Sequence, residues 1–289
     1  MNLKDPNKSF VNLNYKCNNR CSSCIMESMN SNLEKDLETI KKEIDIITEN
    51  LNHIEFNGGE PTLNKNLFEI IRYTLEKKPS IEITLITNSR IFSLPAYVKK
   101  LKALDIKNFK ICTTLYGNNS KIHDAITRTP KSFEQQIKGI RNLLNGGIKI
   151  ELRIVINKIN YTSLEEMAHF IITNFNNKDF ILINFISMKI FGESYKNKDI
   201  VSVKILETTP FVEKAIELLQ KEKFNIRLSH FPHCVLEDKF WNTLAGITAE
   251  KEEIVFLSQC KSCKKRKVCS RIWKSYSKIF GGGEFKPIR

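Results

Sequence analysis

Residues 10–24 read Phe-Val-Asn-Leu-Asn-Tyr-Lys-Cys-Asn-Asn-Arg-Cys-Ser-Ser-Cys, so a short strand-like run is followed at once by three cysteines, Cys17, Cys21 and Cys24. Three thiolates on one loop can hold three irons of a cubane cluster. Because a [4Fe–4S] cluster usually takes four cysteine ligands, the fourth iron would stay open to a substrate. The spacing also permits a zinc site that lacks one ligand, or a redox Cys-x-x-Cys pair with a bystander cysteine.

A second motif follows the next strand-like run, His53 to Phe56, where the sequence reads Asn-Gly58-Gly59-Glu60-Pro-Thr. Two glycines at the end of a strand let a ligand approach the backbone, and the Glu60 carboxylate can accept hydrogen bonds from an ammonium group. In isolation, a tight turn with a solvated glutamate explains these residues equally well. The motif becomes specific only in combination with the cysteine loop.

The chain alternates strand-like and helix-like segments from about Phe10 to Ser187. This alternation predicts a parallel sheet with helical crossovers, either doubly wound or curled into an incomplete barrel. A polar stretch, Gly192 to Asp199, interrupts it before one more helical segment, Phe211 to Lys221, and a cysteine-bearing tail. We therefore expect two domains, residues 1–195 and 196–289. The six predicted strands, each but the last with its helix, are Phe10 to Leu13 with Leu33 to Asn50, His53 to Phe56 with Leu67 to Lys77, Ile81 to Thr87 with Leu94 to Leu104, Phe109 to Leu115 with Phe133 to Leu144, Ile148 to Ile156 with Leu164 to Phe175, and Phe180 to Ile186.

The composition narrows the class of protein. With 289 residues, 41% hydrophobic and 27% charged, the chain has the composition of a folded globular protein. No run approaches the roughly 20 apolar residues of a membrane span, and the first residues are too polar for a signal peptide. We therefore expect a cytoplasmic protein with no membrane partner. In that reducing compartment, eight cysteines are expected to be metal ligands rather than disulfide partners.

The order of the motifs over residues 8–187 resembles the radical S-adenosylmethionine (radical SAM) superfamily. Cys-x-x-x-Cys-x-x-Cys follows the first strand, Gly-Gly-Glu the second, Thr87-Asn88 the third and Thr114-Leu-Tyr-Gly the fourth. The resemblance implies an α/β fold, a partial (β/α)6 TIM-type barrel, with the active site at the carboxyl ends of its strands. Where the family often has an aromatic residue before the third cysteine, this chain has Ser23.

The resemblance also implies the cofactors and the chemistry. Cys17, Cys21 and Cys24 would bind a [4Fe–4S] cluster whose open iron chelates the amino and carboxylate groups of SAM. One-electron reduction by an external flavodoxin or ferredoxin would cleave SAM to methionine and a 5′-deoxyadenosyl radical, which abstracts a hydrogen atom from the substrate. The residues implied to contact SAM are Gly58, Gly59, Glu60 (at the amino group), Asn88 (at the ribose), Thr114 and Arg153.

Arg153 lies among apolar neighbours in the fifth strand-like run. An arginine in a buried strand needs an anionic partner, because an unpaired buried charge is costly. The SAM carboxylate could be that partner. A structural salt bridge to an aspartate or glutamate is the alternative.

Four more cysteines follow the predicted boundary: Cys234, and then Cys260, Cys263 and Cys269 in a Cys-x2-Cys-x5-Cys pattern. Four thiolates suffice for one tetrahedral metal site or one cubane cluster, and their spacing does not choose between zinc and iron. The pattern is similar to part of the SPASM or twitch region, which carries auxiliary clusters behind the barrel of many radical SAM maturases. The similarity implies a small C-terminal cysteine-rich domain with one auxiliary [4Fe–4S] cluster, the second cluster of the chain.

The eighth cysteine, Cys112, lies in the fourth strand-like run. We expect it to be a buried thiol that packs as a small hydrophobe. The alternative, a catalytic hydrogen-atom donor, ranks lower because redox-active thiols are usually accessible.

The net charge of +14 is concentrated in the tail, where residues 261–289 carry ten lysines and arginines against one acid, Glu284. Nearby cations could offset the negative charge of a four-thiolate cluster and raise its potential. The same residues could dock an acidic peptide or nucleic acid, or they could form a solvated charged face. The aromatic residues among them, Trp273, Tyr276 and Phe280, are expected to pack.

Three functions are compatible with these features. The leading hypothesis is a peptide maturase, a radical SAM enzyme that modifies a side chain of a ribosomally made peptide or protein. Because only about ten residues precede the first strand-like run, leader recognition would come from the tail or from a separate leader-binding protein. The second hypothesis is a radical SAM enzyme acting on RNA or a nucleotide, and the third is a non-enzymatic iron–sulfur protein. The basic tail is the one sequence feature that favours a nucleic-acid substrate, since no RNA-binding module is recognisable in the sequence.

Overall fold

The structure is a computed structural model that describes residues 9–26 and 35–289. Seven strands form one sheet in which the spatial order follows the chain order, and β8 and β9 form a separate antiparallel pair. The strands are β1 Phe10–Asn12, β2 His53–Asn57, β3 Glu82–Ile86, β4 Phe109–Thr114, β5 Lys149–Ile156, β6 Ile181–Ser187, β7 Asn225–Ser229, β8 Ile254–Val255 and β9 Ile272–Trp273.

Ten α-helices lie within the described residues, and most of them connect successive strands of the sheet. They are α1 Leu37–Asn50, α2 Leu67–Lys77, α3 Pro95–Lys102, α4 Ser120–Thr127, α5 Ser132–Asn145, α6 Leu164–Asn174, α7 Glu193–Lys196, α8 Lys198–Val201, α9 Ile205–Lys221 and α10 Lys274–Phe280. Within these residues no helix has the length and apolar character needed to cross a membrane.

The strand order decides between the two sheets that the sequence left open. The β1–β2, β2–β3, β3–β4 and β6–β7 pairs are parallel. A doubly wound sheet reverses its strand order at a switch point, whereas this sheet runs from β1 to β7 without reversal. The predicted α/β class is therefore confirmed, and the strand order is not that of a doubly wound sheet.

Several elements were not predicted from the sequence, among them β7 and α4. β7 lies beside β6, with Leu182 opposite Asn225 and Ile186 opposite Ser229. Its five residues, Asn-Ile-Arg-Leu-Ser, bury only the last two side chains, so no apolar run marks it as a strand. α4 is a short helix that precedes α5. The Asn119 side chain caps α4 by accepting a hydrogen bond from the Ile122 N–H at 3.0 Å.

The first crossover helix begins later than predicted. The Asp36 side chain accepts a hydrogen bond from the Thr39 N–H at 2.8 Å, which caps α1, and residues 33 and 34 of the predicted helix lie outside the described residues. Ile40, Ile44 and Ile47 recur at helical spacing and are buried. A 3.6-residue period places them on one face, so their burial holds the helix against the protein.

The chain forms two compact units. The first comprises Met1–Arg20, Ser28–Thr114 and Thr129–Glu151, with a core that includes Ile54, Phe56 and Leu85. The second comprises Cys21–Glu27, Leu115–Arg128 and Leu152–Arg289, and α6 packs on α9 within it. The predicted domains, residues 1–195 and 196–289, remain a prediction.

The basic tail is anchored within the second unit. The Trp273 indole N–H donates to the Ser187 carbonyl at 3.1 Å, and the Ser270 hydroxyl donates to the Phe231 carbonyl at 2.8 Å. Glu284, the single acid of the tail, accepts a hydrogen bond from the Leu206 N–H at 2.8 Å at the beginning of α9. Tyr276 is buried, as expected for a packing residue.

Candidate functional site

The Gly-Gly-Glu turn after β2 is covered by the backbone of the cysteine loop. The Gly59 N–H donates to the Asn14 carbonyl at 2.9 Å, and the Glu60 N–H donates to the Lys16 carbonyl at 2.7 Å. The Asn14 side-chain amide donates in return to the Glu60 carbonyl at 2.8 Å. These hydrogen bonds continue the β1–β2 pairing past the strand ends and fix the segment that leads into Cys17.

Both glycines are required by this close approach. Gly58 has a φ of +137°, and a Cβ at that position would lie 2.3 Å from the Asn14 carbonyl oxygen. A Cβ at Gly59 would lie 2.2 Å from the Lys16 carbonyl oxygen. The sequence predicted that these glycines admit a ligand to the backbone, and the structure shows that they admit the chain's own loop. Their contact with SAM remains a prediction.

The loop between Cys17 and Cys21 is held by side chains that follow β3. The Arg90 guanidinium donates to the Asn18 carbonyl at 2.5 Å and to the Asn19 side-chain oxygen at 2.6 Å. The Asn88 side-chain amide donates to the Asn18 side-chain oxygen at 2.6 Å. Asn88, which the sequence assigned to the SAM ribose, therefore also positions the cysteine loop, and Arg90 was not predicted.

Backbone N–H groups point at the cysteine sulfurs. The Asn19 N–H donates to Cys17 Sγ and the Met26 N–H donates to Cys24 Sγ, each at 3.4 Å. Cys17, Cys21 and Cys24 are all half-buried. Burial raises the pKa of Cys24, and the Met26 N–H opposes that rise because it stabilises the thiolate. The thiolate is the form that binds iron.

Cys24 is supported by the turn that follows β6. The Ser194 N–H donates to the Cys24 carbonyl at 2.8 Å. Gly192 has a φ of +60°, and a Cβ there would lie 2.6 Å from the Ile25 carbonyl oxygen. The polar stretch that the sequence suggested as a boundary therefore packs on the third cysteine of the loop.

Glu60 is buried, and its carboxylate is held by four donors. Oε1 accepts hydrogen bonds from the Thr62 N–H, the Thr62 hydroxyl and the Thr87 hydroxyl at 3.1, 2.6 and 2.6 Å. Oε2 accepts one from the Asn88 N–H at 2.7 Å. Burial raises the pKa of Glu60, and the hydrogen bonds from Thr62, Thr87 and Asn88 oppose that rise. Glu60 thus ties the turn after β2 to the loop after β3, and Oε2 can accept a further donor such as the SAM amino group.

We expect the Glu60→Gln variant to be less stable than the wild type and to bind SAM more weakly. The substitution places a donor NH2 group where four protein donors converge, so at least one buried N–H or hydroxyl loses its acceptor, at a cost of about 1–3 kcal/mol. Thermal unfolding and equilibrium dialysis with labelled SAM measure the two effects. Wild-type stability would contradict the hydrogen-bond role, and wild-type SAM affinity in folded protein would contradict the ligand role.

Thr114 is the last residue of β4, and Arg153 lies in β5. The Thr114 carbonyl, at the end of β4, accepts a hydrogen bond from the Gln136 side chain at 2.9 Å. Arg153 is half-buried in β5. Burial of His230 lowers the pKa of its ring to about 4, and the positive charges of Arg153 and Lys189 add to this shift. The His230 ring packs on Trp273 with ring centroids 4.1 Å apart. The roles of Thr114 and Arg153 toward SAM remain predictions, and Cys112 is fully buried in β4, as expected.

All four cysteines of the tail line one cavity, the four-cysteine pocket. Its volume is about 430 Å³ counted with its open mouth. Pro232, Val255, Phe256, Ile272 and Phe285 give it apolar walls, and its cysteines are Cys234, Cys260, Cys263 and Cys269. The sequence pattern therefore identified four residues that line the same cavity. Among the described residues, no three histidine, cysteine, aspartate or glutamate side chains form a group suited to a metal ion.

The thiols of the four-cysteine pocket influence one another. Burial raises the pKa of Cys234 to about 12, and repulsion from Cys269, Cys260 and Cys263 adds to the rise. Burial also raises the pKa of Cys269, whereas the backbone N–H groups of Arg271 and His233 oppose the rise. A raised pKa means that the Cys234 and Cys269 thiols hold their protons more tightly than free thiols, so their binding to a metal or cluster as thiolates would release protons.

A parallel α/β sheet with cysteine and glutamate motifs at the carboxyl ends of its first strands defines a cofactor-dependent enzyme class. The sequence profile described as "Radical SAM superfamily" matches residues 11–171, more than half of the chain. The chain therefore belongs to the radical SAM superfamily. Enzymes of this superfamily bind a [4Fe–4S] cluster and SAM, and they need a reductant.

Two curated relatives with similar sequences act on different classes of substrate by their names. The chain is 25% identical to the AdoMet-dependent heme synthase of Nitratidesulfovibrio vulgaris over 154 residues, which is 52% of this chain and 41% of the relative. It is 29% identical to a probable GTP 3′,8-cyclase of Saccharolobus islandicus over 169 residues, 56% of this chain and 50% of the relative. The chain thus matches half or less of the length of these relatives.

Solved structures show a shared fold over a larger part of the chain. SuiB of Streptococcus suis bound to S-adenosylmethionine has a TM-score of 0.66 at 15% identity, and the match covers 96% of this chain and 75% of SuiB. SuiB bound to its precursor peptide SuiA has a TM-score of 0.63 at 17% identity, covering 78% of this chain and 48% of SuiB.

Proposed function

We propose that this radical SAM enzyme is a peptide maturase that modifies a side chain of a ribosomally made peptide or protein. The four-cysteine pocket carries the proposal, because four cysteines that follow the radical SAM part of the chain line one cavity, and such a cavity could hold an auxiliary cluster. The fold of SuiB, a protein whose solved structures include one with a precursor peptide, matches this chain into that region. A separate leader-binding protein and a flavodoxin or ferredoxin reductant are the proposed partners.

The cysteine loop and the residues assigned to SAM would bind different groups. Cys17, Cys21 and Cys24 would hold the [4Fe–4S] cluster, which supplies the electron for reductive cleavage of SAM when it is bound. Glu60 would orient the SAM amino group through Oε2, and Arg153 would neutralise the SAM carboxylate. Gly58 and Gly59 keep the backbone of the loop close to the turn after β2, so that the ligands of cluster and SAM come from adjoining segments.

We propose that the four-cysteine pocket holds a second [4Fe–4S] cluster. A cubane is larger than one ion and needs space between its ligands, and these four thiols line a cavity with apolar walls. Lys265, Arg266 and Arg271 also line the cavity, and cations beside a four-thiolate cluster offset its negative charge. Structural zinc is the alternative, and metal analysis distinguishes the two.

A nucleotide is the second candidate substrate. The 29% identity to a probable GTP cyclase favours it, and the ten cations of the tail favour nucleic acid. Three of those cations are engaged beside the four-cysteine pocket, where Lys265 lies 4.4 Å from the Trp241 ring and Arg266 and Arg271 lie on the Phe256 ring. This arrangement favours a local role for part of the tail charge over docking.

The substrate class can be tested with the reconstituted enzyme, SAM and dithionite. The substrates offered are synthetic peptides encoded by short reading frames beside the gene, GTP, and bulk RNA. We expect a peptide to change mass and to accelerate 5′-deoxyadenosine formation, both measured by mass spectrometry. Consumption of GTP with unchanged peptides would overturn the proposal, as would a product in RNA whose yield falls steeply with salt.

A further inference from the structure

Arg271 has an unusual conformation beside the four-cysteine pocket. Its φ is +65°, a left-handed backbone conformation that costs energy for any residue with a Cβ. In this conformation its backbone N–H donates to Cys269 Sγ at 3.4 Å, and its side chain lines the pocket. One strained residue thus presents both its backbone and its side chain to the site of four thiols.

The side chain of Arg271 includes a buried donor that is unsatisfied. Among the described residues, Arg271 Nε has no hydrogen-bond partner, although it is buried from solvent. His233 Nδ1, which belongs to another residue lining the pocket, is in the same situation. A buried donor without an acceptor is costly, so such groups are rare unless a ligand satisfies them. An arginine Nε always carries a proton and can only donate, so the missing partner must be an acceptor.

Positive charge is concentrated at the same place. The guanidinium carbons of Arg266 and Arg271 lie 4.6 and 4.7 Å from the centroid of the Phe256 ring. Two guanidinium groups on one ring repel each other unless an anion lies nearby. Lys265 lines the same pocket and adds a third cation. An acceptor that carries negative charge therefore satisfies both the orphan donor and the cluster of cations.

We propose that the Arg271 side chain donates a hydrogen bond from Nε to a sulfur of the auxiliary cluster and raises the reduction potential of that cluster. Hydrogen bonds to cluster sulfurs and nearby positive charge stabilise the reduced, more negative state. The left-handed backbone of Arg271 is the conformation in which the backbone N–H reaches Cys269 while the side chain lines the pocket. The inference rests on the proposed function, because it requires an iron–sulfur cluster in the four-cysteine pocket.

The test uses the full chain in which Cys17, Cys21 and Cys24 are replaced by alanine, so that the auxiliary cluster alone reports. Iron and zinc analysis comes first: zinc in place of iron would overturn the auxiliary cluster and this inference together. With iron present, redox titration followed by EPR gives the midpoint potential. We expect Arg271→Gln to make reduction at least tenfold less favourable, which is about 59 mV for a one-electron couple.

Two matched variants separate the hydrogen bond from simple charge. Arg271→Lys keeps the positive charge but lacks Nε, and Arg266→Gln removes a charge on the same ring. The difference between the Fe–S stretching frequencies in H2O and in D2O reports exchangeable protons that are hydrogen-bonded to the cluster sulfurs. We expect the deuterium shift to shrink in both Arg271 variants and to persist in Arg266→Gln. A wild-type shift and potential in Arg271→Gln with unchanged iron content, or full recovery of both in Arg271→Lys, would overturn the hydrogen bond while leaving the auxiliary cluster in place.

Discussion

The Cys17→Ala, Cys21→Ala, Cys24→Ala triple variant is expected to form no 5′-deoxyadenosine and to hold about four irons, against about eight in the wild type. The reason is that seven of the eight cysteines divide into a loop of three and a pocket of four, and SAM cleavage is assigned to the loop alone. Anaerobic reconstitution followed by iron and sulfide assays and product chromatography measures both quantities.

The matched control replaces Cys234, Cys260, Cys263 and Cys269 by alanine instead. We expect this variant to keep the cluster of the loop and to cleave SAM without substrate, because the four-cysteine pocket supplies no ligand to that cluster. SAM cleavage in the triple variant would contradict the assignment of the loop. About four irons and one zinc in the wild type would convert the pocket into a structural metal site.

The Gly59→Ala variant is expected to lose SAM cleavage although no cysteine is changed. The added Cβ would lie 2.2 Å from the Lys16 carbonyl oxygen and 2.5 Å from its carbonyl carbon, and backbone atoms cannot rotate away as a side chain can. The loop must therefore move off the turn after β2, and the Gly59 and Glu60 hydrogen bonds to Asn14 and Lys16 break. Overpacking of this kind costs about 3 kcal/mol, and the Cys17 segment loses its position.

Gly283→Ala is the control for this substitution. No heavy atom lies within 4 Å of a Cβ built at Gly283, so we expect a stability change within about 0.5 kcal/mol and unchanged SAM cleavage. Iron content, thermal unfolding and 5′-deoxyadenosine formation are measured for both variants. Wild-type values for Gly59→Ala in all three measurements would refute the role of the close approach.

The sequence was sufficient for the strands that carry the motifs, because apolar runs and helical periodicity are local signals. It predicted six of the seven strands of the sheet and gave the chain order of the motifs at their carboxyl ends. It also grouped Cys234 with Cys260, Cys263 and Cys269 from their spacing, and these four residues line one cavity. β7 was not predicted because apolar and polar residues alternate only weakly along its five residues, and only the last two are buried.

The supporting residues could not be predicted, because their partners are distant in the chain. Nothing local to Arg90 indicates that its guanidinium meets Asn18, which lies 72 residues earlier. Arg271 reads as one cation among ten in the tail until its backbone conformation and its orphan Nε are seen. Glu60 was predicted as an acceptor, but its hydrogen bond from the Thr87 hydroxyl depends on the parallel pairing of β2 with β3.

The close approach of the cysteine loop to Gly58 and Gly59 has an evolutionary consequence. The atoms that exclude a side chain at these positions are main-chain atoms of residues 14–16, and they remain whatever cofactor the protein carries. A descendant that had exchanged its cysteines and abandoned its chemistry would still need both glycines to fold. The paired glycines therefore indicate common descent, whereas the cysteines that follow Lys16 indicate that the enzyme has kept its chemistry.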